Sequence, residues 1–304
     1  MPKGKLVRKN RLFRQGKSNI ESILKCSSEA YCCPICGGFK SIDELTLEHV
    51  PPKSMGGKEI ILTCKACNNE AGSNIDLNIA NQQNMIRISK SLASQKFNKP
   101  ERAKVNIGGT EIKVEINKES DDKPLNISIL GKCNNPDDIE KVKKYTREFA
   151  ESGGSFSFKL QSTDRYNYNE RLAKIGHLKT AFLVTVAALG YTFAFSKNLT
   201  KFRRQISAPS SQIVDFYIEY FESTSDECCI LEIPQLGVIA VSFSGVRVLL
   251  PHPLSSLNSY SNTTGLIHDG KLQTITGKEI IWPQNFNAII DNSKEFSFQI
   301  VDGN

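Results

Sequence analysis

The chain has 304 residues, of which 39% are hydrophobic and 23% charged, with a mean hydropathy of −0.31. These values exclude a disordered or fibrous protein and allow one large or two ordinary domains. The formal net charge is +7, and its source is local: residues 1–20 hold Lys3, Lys5, Arg8, Lys9, Arg11, Arg14 and Lys17 with no acid, while the remainder is balanced.

This N-terminal arm lacks the apolar core of a secretory signal, and Pro2, Gly4 and Gly16 argue against an amphipathic transit helix. Composition leaves two readings open, an arm that binds phosphates and a solvated tail. Nine cysteines without a secretory signal point to a reducing compartment, so a cytoplasmic location with free or metal-bound thiols is expected. Residues 21–73 are dense in Cys, Gly and Pro. Beyond them, Met85, Ile88 and Leu92 recur at helical spacing, which predicts a helix over 78–96 with Arg87, Lys90 and Lys96 on or beside its outer face.

After Pro100 the pattern alternates: KVNI, Gly108-Gly109 and TEIKVEI read as a β-hairpin. A helix is expected at 137–151, a short strand at 156–160, and a long helix at 169–195. The apolar stretch 181–195 of that last helix is shorter than the roughly 20 residues of a bilayer span, so it reads as a core helix and no membrane partner is expected. Two further strands flank Ser244-Gly245 at 237–243 and 246–250. The expected organisation is a basic arm (1–20), a metal-rich module (21–97) and an α+β domain (98–304) for target recognition, regulation or partner binding.

The metal-rich module carries two C-x-x-C pairs, Cys33/Cys36 and Cys64/Cys67. Two such knuckles supply the four thiolates of a closed tetrahedral Zn²⁺ site, which is structural because no coordination position stays open. Cys32 and Cys26 are neighbouring substitutes, with standard knuckle spacing in favour of Cys33.

Between and after the pairs run Leu47-Glu48-His49-Val50-Pro51-Pro52-Lys53-Ser54-Met55-Gly56-Gly57 and Asn68-Asn69-Glu70-Ala71-Gly72. Over Cys33 to Asp76 the sequence resembles the HNH endonuclease family in its zinc-containing variant. The resemblance implies a ββα-metal fold: two strands bearing His49, a loop through Gly56-Gly57, and a helix that begins near Cys67 and presents Asn68. It implies His49 as general base and Glu48 with Asn68 as ligands of a catalytic Mg²⁺ or Mn²⁺; Asn69 is an alternative to Asn68. Glu48 and His49 project to opposite sides of an extended segment, a hard cation takes oxygen ligands, and histidine titrates near neutral pH. Two departures stand out: Glu48 replaces the commoner Asp, and Glu59 aligns with the family's middle asparagine.

The expected activity is metal-dependent hydrolysis of phosphodiester bonds in DNA, with RNA left open. Arg8, Lys9, Arg11, Arg14, Lys53, Arg87 and Lys90 would contact the phosphate backbone. By analogy with restriction and anti-phage HNH proteins, the chain would be a defence effector, with an activating ligand or protein partner at the C-terminal domain. The alternative is a zinc-stabilised nucleic-acid-binding or scaffolding protein without catalysis, for which the Glu59 departure is the best support. Outside the module, His177 reads as a core residue, His252 and His268 lie in loops without a recognisable partner, and Cys228-Cys229 as core packing. Lys197, Lys201, Arg203 and Arg204 are open to a phosphate patch or a basic helix end.

Overall fold

The basic N-terminal segment is a helix, α1 (Lys3–Leu24), in place of the arm or tail expected from its glycines. Leu12, Gly16 and Ile20 recur at i, i+4 and i+8 and form its buried stripe. Gly16 is where the ring of Tyr31 packs: a Cβ there would lie 2.2 Å from Tyr31 Cε2. The glycine therefore permits the close approach that anchors the helix.

The computed structural model describes residues 3–25, 27–94, 100–118, 126–152, 159–161, 168–221, 228–255, 273–286 and 293–300. Strands β1 (Tyr31–Cys32) and β2 (Phe39–Lys40) form the first cysteine knuckle. β3 (Leu45–Val50) and β4 (Lys58–Cys64) pair as an antiparallel hairpin and lead directly into α2 (Lys65–Ala71). This is the expected ββα order, with the helix starting two residues before Cys67. One π turn, Gly72–Asp76, joins α2 to α3 (Leu77–Ser94), close to the helix expected at 78–96.

β5 (Glu101–Ile107) and β6 (Thr110–Asn117) form the expected hairpin. Gly108 and Gly109 take φ of 58° and 82°, the left-handed pair that a two-residue turn needs. With β7 (Asn126–Ile129), α4 (Pro136–Glu151) and β8 (Lys159–Gln161) they build a four-stranded sheet ordered β7-β6-β5-β8, whose core is Ala103, Val105, Ile112, Val114, Ile116 and Val142. Of the strand expected at 156–160, residues 156–158 lie outside the described residues.

The helix expected at 169–195 is two. α5 (Glu170–Leu189) ends at Gly190, whose φ of 78° and ψ of −164° no helix accommodates, and α6 (Tyr191–Ala194) restarts beyond it. α5 is long and apolar enough to cross a membrane by length and composition, yet its residues from Ile175 to Ala188 are all buried. It packs against β3 and β4 and against strands of a larger sheet. That sheet follows α7 (Thr200–Ser207) and comprises β9 (Ile218–Tyr220), β10 (Cys229–Ile233), β11 (Val238–Phe243), β12 (Val246–Pro251), β13 (Gln273–Ile280) and β14 (Ser293–Ile300), all antiparallel, in the order β14-β13-β10-β11-β12-β9.

Contacts divide the chain into two units, Met1–Ile79 with Glu170–Asn304, and Ala80–Asn169. This differs from the expected division at 20/21 and 97/98. The cysteine module does not stand apart from the C-terminal third: Leu45, Leu47, Ile60 and Leu62 of its hairpin share one core with Phe182 and Val186 of α5 and with Val241 and Val248 of the six-stranded sheet.

Candidate functional site

The four cysteines Cys33, Cys36, Cys64 and Cys67 converge, with all their sulfurs within 4.8 Å of one another. Among the described residues they form the one cluster of three or more side chains suited to a metal. Cys36 Sγ and Cys64 Sγ lie 3.9 Å apart, close to the edge of a tetrahedron with Zn–S bonds of about 2.3 Å. Backbone N–H groups of Gly38, Cys64 and Cys67 donate to the sulfurs of Cys36, Cys33 and Cys64. Such donors favour thiolates. Cys33 is pulled down to about 5, first by its hydrogen bond with the Cys67 thiol and against the cost of burial. Cys32 points elsewhere, its thiol donating to the Gly37 carbonyl, and burial pushes it up to about 12. The donor set fits a structural zinc held by the expected four residues; Cys26 lies outside the described residues.

The hairpin positions the acid–histidine pair. A bulge between Glu48 and His49 pairs Glu48 with Ile61 and His49 with Glu59, leaving Ile60 as the extra residue. Gly57 lets the return loop close: a Cβ there would lie 1.5 Å from the Pro51 carbonyl oxygen. His49 faces outward, with its Nε2 3.7 Å from Glu59 Oε1. It opens on a cleft of 560 Å³ lined by Lys5, Arg8 and Arg11 of α1, by Lys53, Gly57, Lys58 and Glu59, and by Gln284 and Asn285. Desolvation lowers the His49 pKa; Lys5, Lys53 and Arg8 act in the same direction and Glu59 opposes them. The imidazole is thus neutral at pH 7, as a base requires.

Glu48 faces the other way. Its Oε1 lies 2.7 Å from Lys179 Nζ of α5, its Oε2 accepts from Thr63 Oγ1 at 3.0 Å, and the residue is 2% exposed. Lys179 Nζ also reaches Asp76 Oδ1 and Oδ2 at 3.0 and 2.8 Å. Burial disfavours the ammonium, yet the two carboxylates outweigh it and keep Lys179 protonated. Asn68 lies on α2 with its amide donating to Thr46 Oγ1 at 3.4 Å, while Asn69 is exposed.

Residues 33–84 match the HNH endonuclease family. Neither the curated proteins nor the solved structures contain a match to the chain. The matched HNH segment begins at Cys33 and covers the hairpin, α2, the π turn and the start of α3.

Within this HNH module the expected Mg²⁺ pair, Glu48 and Asn68, is not set up alike. A hydrated divalent ion needs carboxylate lone pairs open to water, and both Glu48 oxygens are engaged, one by an ammonium. As arranged, Glu48 does not offer that ion an open carboxylate. Glu59, at the position of the family's middle asparagine, is the carboxylate beside His49 and also binds Lys5 and Arg8 at 3.4 and 3.0 Å.

The expected phosphate contacts divide as well. Arg8, Arg11 and Lys53 line the His49 cleft. Lys9 faces Lys65 and Asp43 instead, burial lowering its pKa, and Arg14 is exposed. Arg87 is not free for phosphate: its guanidinium grips the buried carboxylate of Glu101 within the second unit, where Lys90 is exposed. Lys58, Gln284 and Asn285 carried no signal in the sequence, and Lys5 stood only among the charges of the basic arm. Asn285 accepts from Arg11, and Gln284 from Lys58 at 2.7 Å.

Other expectations resolve outside the HNH module. His177 is a core residue, T-shaped against Tyr220, and burial lowers it to about 3. His252 does have a partner, Glu232 Oε1 at 2.8 Å, and His268 lies outside the described residues. Arg203 of the basic cluster stacks over Phe195, 4.6 Å from its centroid.

Proposed function

We propose that the chain hydrolyses phosphodiester bonds of a nucleic acid, DNA first, at the His49 cleft. The observation that carries this reading is a neutral, outward-facing histidine of an HNH module set opposite Glu59 and rimmed by Lys5, Arg8, Arg11, Lys53 and Lys58. His49 takes the proton from a water that attacks phosphorus; the new P–O bond forms as the bond to the 3′-oxygen breaks, and the departing 3′-oxyanion takes a proton from solvent water. Glu59 orients the ring and stabilises the imidazolium that results.

The surrounding cations neutralise the phosphate and the charge that develops on its oxygens. They touch backbone rather than bases, so binding is largely independent of sequence and falls with salt. Gln284 and Asn285 are the amide side chains on the cleft wall from the C-terminal third. The zinc plays no chemical part; it fixes the knuckle from which the hairpin and α2 spring. Loss of cleavage in His49→Ala with unchanged zinc content tests the reading.

A further inference from the structure

A lysine in the middle of a buried helix demands a partner, because an ammonium taken out of water is costly unless it is paired and hydrogen-bonded. Lys179 has three acceptors, Glu48 Oε1 and both oxygens of Asp76, all within 3.0 Å. It satisfies all three of its N–H donors there. Two carboxylates from separate elements, β3 and the π turn, converge on one cation, with Thr63 completing the shell of Glu48. Two carboxylates around one centre are what a divalent ion would use, and here the centre is a covalently tethered charge.

We propose that Lys179 is the resident cation of the Glu48–Asp76 site and excludes a divalent metal from it. The tether gives the ammonium a high effective concentration that a dissolved ion must outcompete. Size matters as well as charge: a hydrated Mg²⁺ or Mn²⁺ keeps several waters, and the space next to Glu48 is filled by the Lys179 side chain, which is only 3% exposed. Removing the lysine leaves a polar cavity with two carboxylates and room for water, and a divalent ion then binds. This claim does not rest on the nuclease reading, because its readout is metal binding and no cleavage need occur.

The test is titration of the zinc-loaded full chain with Mn²⁺ alone, following loss of the free-ion paramagnetic signal. Wild type, Glu48→Gln, Lys179→Ala and the double variant Glu48→Gln/Lys179→Ala are compared. Lys179→Ser, which likewise clears the space beside Glu48 and leaves it polar, substitutes for the alanine variant if that fails to fold. The expected result is one Mn²⁺ site in the lysine variant, at least about tenfold tighter than any in wild type and lost again in the double variant. Wild-type binding that Glu48→Gln abolishes overturns the proposal, and so does a folded lysine variant that gains no site.

Discussion

The anchoring of α1 can be tested at a single atom. Gly16→Ala adds a methyl group 2.2 Å from Tyr31 Cε2 and 2.8 Å from Cδ2, well inside van der Waals contact. The ring cannot swing away cheaply: Tyr31 is fully buried, its hydroxyl donates to the Leu62 carbonyl at 3.0 Å, and Phe13 stacks on it with centroids 6.1 Å apart. Overpacking of this kind costs about 1–3 kcal/mol, while alanine for glycine inside a helix returns about 1 kcal/mol. A contact as short as 2.2 Å puts the steric cost toward the upper end, about 2–3 kcal/mol, so a net loss of roughly 1–2 kcal/mol is expected. Urea unfolding monitored through Trp282, the chain's one tryptophan, reads the change as a lowered midpoint at constant slope. Gly4→Ala, with nothing within 4 Å of the added carbon, should leave the midpoint unchanged or slightly raised. The Gly16→Ala penalty should vanish in a Tyr31→Ala background, since the two residues then share no contact. Gly16→Ala as stable as wild type would refute the packing of α1 on Tyr31.

Other consequences concern the cleft and the zinc frame. The active form of His49 is the neutral one, so cleavage should rise with pH through its pKa and level off above it. Since desolvation and then Lys5, Lys53 and Arg8 hold that pKa below 6.5, the acid limb of kcat/KM should lie below pH 6.5; Lys53→Gln should move it upward, Glu59→Gln downward, and a limb at or above 6.5 in wild type contradicts the assignment. Cys33→Ser should lose zinc and drop Tm sharply, because metal binding is part of folding. Cys32→Ser, at a thiol bonded to Gly37 rather than to the cluster, should retain one zinc per chain by atomic absorption.

What could be read from the sequence was what neighbours in sequence determine. Cys33, Cys36, Cys64 and Cys67 announce themselves by spacing, and Glu48-His49 by adjacency, so the four-cysteine frame and the ββα order were legible. The Gly108-Gly109 and Ser244-Gly245 turns were legible for the same reason: both pairs take positive φ. Features that depend on the chain's return were not. Lys179 lies 131 positions from Glu48 in the numbering, and nothing local says that a lysine of α5 will claim that carboxylate. A lysine at the head of the apolar run of α5 was the available signal. Glu59 reaches His49 only through the bulge that skips Ile60, a register detail that alternation cannot supply. The basic segment was misread because glycine was weighed as a helix breaker, whereas Gly16 serves contact with Tyr31. The division by contacts was not legible because one unit is built from two separated stretches, which a search for a single linker cannot find.

The most direct measurement is a supercoiled-plasmid assay in Mg²⁺ buffer with purified wild type beside His49→Ala, with zinc per chain and DNA affinity determined on the same preparations. Hydrolysis at the His49 cleft predicts nicked or linear product from wild type only, with about one zinc per chain in both proteins and equal binding to DNA. Cleavage that persists at the wild-type rate in His49→Ala would contradict it.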